Sequence, residues 1–215
     1  MRNQKIKILP DVLKSGYLSL IAPVVNFFVK LNPNPNWFTT FGLLLSIVSA
    51  YFFAVGRLKL GGLFIILSGT FDIIDGKVAR HTGQVTKFGA LYDSTMDRYA
   101  EVIVFFGLVY YFGRQKWFLY GIDLGLVASV AVSIALGGSI MVSYIRARAE
   151  GLGFECKIGL MQRPERIAYL ATGAIVHKYA LVVAVFLIAI LANFTAFQRL
   201  YYIRKLEKEQ KKKPV

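Results

Sequence analysis

Asp72, Asp75, Asp93 and Asp97 place four carboxylates within 26 residues of an otherwise apolar stretch. At 100° per residue, Asp72, Asp75, Gly76 and Ala79 fall within about a 100° arc of one helix. Gly89, Asp93 and Asp97 recur every four residues and share a face of the next. Each pair of acids therefore sits beside residues with almost no side chain, which leaves room for a ligand to approach the backbone. If the two helices are antiparallel neighbours, all four carboxylates meet at one depth.

Four carboxylates cannot all stay ionised side by side in a poorly hydrated site. Divalent cations would neutralise them, and an all-oxygen donor set suits magnesium, manganese or calcium. Two such ions about 3.5–4 Å apart suit displacement at phosphorus. Two other readings stand beside this one. Each acid could simply pair with a base such as Arg80 or Arg98. Acids within a membrane could also line a proton or cation pathway, although transport sites favour the midplane between repeated halves, and no internal repeat is present.

The elements that carry these residues are membrane helices. The 215-residue chain is 56% hydrophobic with a mean hydropathy of +0.53, yet Lys and Arg outnumber Asp and Glu by 26 to 12. That balance predicts an all-α integral membrane protein with a cationic aqueous face, not a nucleic-acid binder. Residues 9–30 read as an amphipathic interfacial helix. "LNPNPNW" then breaks the chain, with Asn34 or Asn36 placed to cap the next helix. Six spans are predicted at about 37–56, 60–80, 86–113, 117–147, 164–177 and 179–203, against the roughly 20 apolar residues a bilayer requires, and the second, third and fourth run beyond their apolar stretches into water. The fifth is short and interrupted by His177 and Lys178. Residues 1–205 thus form one membrane domain, and 206–215 a basic cytoplasmic tail. The start has no apolar core of a cleavable signal peptide, so the whole chain is read as mature.

Six spans put both termini on one side. Of the 26 Lys and Arg, only Arg57, Lys59, Arg114, Lys116 and Lys178 fall on the opposite side, with Arg98 and Arg199 inside spans. The positive-inside rule makes the basic side, where the acids also lie, cytoplasmic in a cell membrane. Cys156 is the single cysteine, so no internal disulfide forms. His81 and His177 carry no readable role.

At these residues the chain resembles a known family. "DIIDGKVARHTGQVTKFGALYDSTMD", residues 72–97, fills all eight positions of the CDP-alcohol phosphotransferase pattern Asp-x2-Asp-Gly-x2-Ala-Arg-x8-Gly-x3-Asp-x3-Asp. "NPNPNWFTTFGLL" is similar to that family's Pro-Asn-x-x-Thr start of the first span, and the topology agrees, so the resemblance covers about residues 9–205. It implies transfer of a substituted phosphate from a CDP-alcohol to an acceptor hydroxyl with release of CMP. It implies two magnesium or manganese ions bound by Asp72, Asp75 and Asp93 and bordered by Asp97, the general base. Asp72, Gly76, Ala79 and Arg80 would face the CDP moiety of CDP-diacylglycerol, and the enzyme would be a homodimer.

The acceptor is suggested by arginines. Arg146, Arg148, Arg163, Arg166 and Arg199 gather from three segments on the catalytic side, and a planar guanidinium matches phosphate oxygens. Any one of them could instead snorkel or meet anionic lipid. "SYIRARAEGLG" with "RPER" resembles the phosphatidylinositol-phosphate synthase branch, whose pattern implies that Arg146, Arg166 and Arg199 hold an acceptor phosphate. Arg146 stands where that branch usually has Lys, and "FECKIGLMQ" is less glycine-rich. Inositol phosphate is the favoured acceptor, and glycerol phosphate the alternative.

Overall fold

The computed structural model describes residues 11–211. The expected start of the interfacial helix at residue 9 and the last four residues of the basic tail lie outside the described residues. Within them, seven helices come in order: α1 (Asp11–Leu31), α2 (Asn36–Ala54), α3 (Leu58–His81), α4 (Lys87–Gly113), α5 (Leu124–Gly151), α6 (Arg163–Val176) and α7 (Lys178–Lys211). The chain breaks where the sequence predicts, at the prolines after α1, and the Asn34 side chain accepts the Asn36 amide at 3.0 Å.

Six of the helices close into a ring. α2 packs on α3 and α4, α4 on α5, α5 on α7, α7 on α6, and α6 returns to α3. The core inside this ring includes Phe53, Leu108, Phe112, Val132, Leu181 and Ile188. α1 stays outside it, resting Ile21 and Val25 on a small cluster with Phe38, Ile74 and Val78. Close seams depend on small residues and interhelical hydrogen bonds. At Gly107 of α4 any Cβ would lie 2.4 Å from the Ala50 carbonyl of α2, so only glycine allows that approach. Ser46 and Ser68 join hydroxyls at 2.8 Å between α2 and α3.

The outward faces are apolar. Leu126, Val130 and Ile134 of α5 and Val183, Ile190 and Phe194 of α7 are exposed, a surface that lipid solvates and water does not. Three described helices are long and apolar enough to cross a membrane: Asn36–Ala54, Leu124–Gly151 and Lys178–Gln210. α3 and α4 have the length but carry charge at the ends that meet. α6 has 14 residues, about 21 Å of helix against a hydrocarbon core of about 30 Å.

Two boundaries differ from expectation. Residues 117–123 are not helical: β1 (Phe118–Leu119) pairs antiparallel with β2 (Ile122–Asp123) across Tyr120 and Gly121, whose φ of 48° and 78° are those of a tight hairpin turn. Asp123 then caps α5 by accepting from the Gly125 and Leu126 amides, which sets the start at Leu124. α7 continues unbroken to Lys211, so residues 206–211 prolong the last helix.

Candidate active site

The last turns of α3 and the first turns of α4 bring the acids together. One oxygen from each of Asp72, Asp75 and Asp93 lies within 4.8 Å of the others. Asp75 is 5% exposed, and its Oδ2 accepts from Thr39 Oγ1 at 2.8 Å. Thr39 is the threonine of the Pro-Asn-x-x-Thr segment, so the start of α2 braces this carboxylate. Asp93 Oδ1 is buried with no hydrogen-bond partner. A buried carboxylate oxygen left bare is costly, and a cation is the partner its chemistry calls for. The donors are all oxygen, which fits magnesium or manganese.

Asp97 stands apart from that group of three. Its Oδ2 meets Arg163 Nη1 at 2.7 Å, and the same nitrogen reaches Asp72 Oδ2 at 3.0 Å. One turn further into the bundle, Glu101 of α4 grips Arg166 of α6 with both oxygens, at 2.5 Å to Nε and 2.9 Å to Nη2. Arg166 Nη1 also donates to the Met161 carbonyl at 3.1 Å. Asp97 and Glu101 are four apart on α4, Arg163 and Arg166 three apart on α6, so the two pairs stack as rungs between these helices. The outer rung is 17–19% exposed and the inner rung 1–9%. The spacing of Glu101 was readable from the 93, 97, 101 repeat, but nothing in the sequence says which arginine would meet it.

The small residues of the motif have distinct uses. At Gly76 a Cβ would sit 3.3 Å from Arg80 Nη1, so the missing side chain gives space to the guanidinium one turn on, while Arg80 itself stays exposed beside Ala79. Gly89 serves the helix start instead: Thr86 Oγ1 accepts its amide at 2.9 Å, and a Cβ there would meet that hydroxyl at 2.9 Å. A narrow cleft opens between Thr39, Gly42, Asp72, Asp75, Asp97 and Arg163.

The three arginines proposed for the acceptor occupy different settings. Arg199 is 2% exposed and donates from Nε to the Ile158 carbonyl at 2.8 Å and from Nη1 to the Val142 carbonyl at 2.5 Å. The charges of Arg146 and Arg166 bear on it, and so does that of Glu150. Arg146 is exposed and bonds Glu150 at 2.9 Å along its own helix. Cys156, buried in the loop beside them, has its thiol pushed up by burial.

A helical ring with a carboxylate cluster shared by two helix ends suits a divalent-metal site in a protein with apolar, membrane-length helices. Residues 33–203 match the CDP-alcohol phosphatidyltransferase family, and the chain belongs to it. It is 32% identical over 204 residues to the archaetidylinositol phosphate synthase of Methanothermobacter thermautotrophicus, covering 91% of this chain and 97% of the relative. Its fold is similar to that of the phosphatidylinositol phosphate synthase of Mycobacterium tuberculosis with CDP-DAG bound. That likeness has a TM-score of 0.74 and 31% identity, over 84% of this chain and 92% of the other. The same enzyme with manganese and citrate gives a TM-score of 0.74 at 32% identity, over 84% and 87%.

Proposed function

We propose that this enzyme transfers the phosphatidyl group of CDP-diacylglycerol to inositol phosphate and releases CMP. One observation carries the reading: three motif carboxylates converge, and one buried oxygen among them, Asp93 Oδ1, has no partner of its own. Asp72, Asp75 and Asp93 would hold two divalent cations, magnesium or manganese, with Asp97 at their border. Bound there, divalent cations would neutralise the carboxylates and the negative charge developing on the departing CMP.

The residues of the chain supply the rest. Asp97 takes the proton of the acceptor hydroxyl as its oxygen bonds to the lipid-side phosphorus. The bond from that phosphorus to the bridging oxygen breaks, and the electron pair leaves with CMP. Gly76 and Ala79 admit the nucleotide against the helix, and Arg80 reaches its phosphates. Arg199, and Arg146 once it exchanges Glu150 for the acceptor phosphate, would favour a phosphorylated acceptor over free inositol or serine, while Arg166 stays on Glu101 as a brace between α4 and α6. The diacylglycerol chains remain in lipid while CDP lies in water, which suits a site at a membrane edge.

This assignment goes with a six-span topology, α2 to α7, with α1 in the interface and both termini and the site at the cytoplasmic face of the cell membrane. The whole is one domain, assembled as a homodimer. The test is CMP release by purified enzyme with magnesium, offered inositol phosphate, glycerol phosphate and free inositol in parallel, with a chelator control. CDP-diacylglycerol and a CDP-activated ether lipid serve as donors. Metal-dependent release with inositol phosphate is the expected outcome. Release only with glycerol phosphate would reassign the acceptor, and preference for the ether lipid would reassign the donor.

A further inference from the structure

The outer rung between α4 and α6 conflicts with the proposed metal site, and the conflict is informative. Arg163 Nη1 bonds Asp72 Oδ2 and Asp97 Oδ2 at once, at 3.0 and 2.7 Å. Asp72 is also one of the three acids whose oxygens lie within 4.8 Å of one another. A divalent cation on Asp72 needs a lone pair of that carboxylate and brings two positive charges next to a guanidinium. Both cannot be held there at full strength.

We propose that Arg163 is the resident counter-cation of Asp72 and Asp97, that it competes with the divalent metal for them, and that it thereby sets the affinity of the site. The inference rests on the reading of the three acids as metal ligands. Three observations carry it. The same guanidinium nitrogen spans acids from two helices, so Arg163 neutralises carboxylates that would otherwise face each other. Arg163 stands at the border of two narrow clefts, one at Asp72, Asp75 and Asp97 and one between Ser46, Ile65, Glu101 and Phe105, so it faces the metal-side acids and the inner rung alike. The inner rung keeps α6 docked when the outer one opens, since Arg166 is 1% exposed and held by Glu101 and the Met161 carbonyl. Arg163 is therefore a positioning residue that acts on the metal site through the acids it holds.

The experiment is a Mn²⁺ titration of the full chain in detergent, without substrate, monitored by the electron paramagnetic resonance signal of free Mn²⁺. Arg163→Gln should bind Mn²⁺ at least about tenfold more tightly than the unaltered protein, because one competing charge is removed. Damage to the fold would weaken binding, so the expected gain separates competition from a structural role. Unchanged or weaker binding by folded Arg163→Gln overturns the proposal. Should that variant fail to fold, Arg163→Lys decides. Its shorter side chain draws the single bridging nitrogen back from the two acids, so tighter binding supports the competition, and equal or weaker binding overturns it. An unaltered protein that binds no Mn²⁺ would overturn the metal reading itself, and this inference with it.

Discussion

Asp97 faces a cation at 2.7 Å, and its other neighbours along α4 are Asp93 one turn before and Glu101 one turn after. Its proposed work as a base depends on one proton-accepting oxygen, which an amide lacks although its size is almost the same. Asp97→Asn should therefore lower CMP release by about 10²–10⁴-fold while CDP-lipid still binds, checked by turnover beside equilibrium binding of the nucleotide lipid. Full activity in that variant would remove Asp97 from the base role. The four aspartates were readable because two helical periods carry them and the intervening spacing matches a known pattern. Arg163 was read only as one of five arginines. Its pairing with Asp72 of α3 and Asp97 of α4 arises from the closing of the ring, which joins residues far apart in the chain, and no local periodicity encodes that.

Helix seams decide whether those residues meet. Gly107 lies against the Ala50 carbonyl, and α2 carries at its start the Thr39 that braces Asp75. A methyl group at Gly107 would push α2 away from α4, because backbone cannot yield as a flexible side chain does. Gly107→Ala should cost about 1–3 kcal/mol and lower the midpoint of thermal unfolding in detergent. An unchanged midpoint would mean that the seam relaxes without strain. Apolar runs were enough to count the helices, but two ends escaped them. The hairpin at Tyr120–Gly121 lies inside an apolar run that masks a turn, and only the Asp123 cap marks where α5 starts. Past residue 205, "RKLEKEQK" has good helix formers and an i,i+4 pair between Lys205 and Glu209, so α7 continues where charge alone suggests a tail.

At the scale of the molecule, the charge distribution bears on which way the ring faces. The acids, Arg146, Arg163 and Arg166 all belong to helix ends or loops on the basic side, and the opposite side carries Arg57, Lys59, Arg114, Lys116 and Lys178. The proposed orientation predicts that a cysteine at exposed Lys157 reacts with a membrane-impermeant maleimide only in inside-out vesicles, in a Cys156→Ala background. One at Tyr120, 97% exposed, should react only in right-side-out vesicles. The reverse pattern would invert the topology and move the site to the other leaflet.

The ring also has a consequence for how the protein is made. It closes only when α6 returns to α3, and α6 and α7 follow α3 and α4 in the chain. The aspartates of α3 and α4 are synthesised and inserted well before Arg163 and Arg166 exist. Until then those acids lack the cations that later hold them, and an early-born half of the site waits in the membrane for a late-born partner.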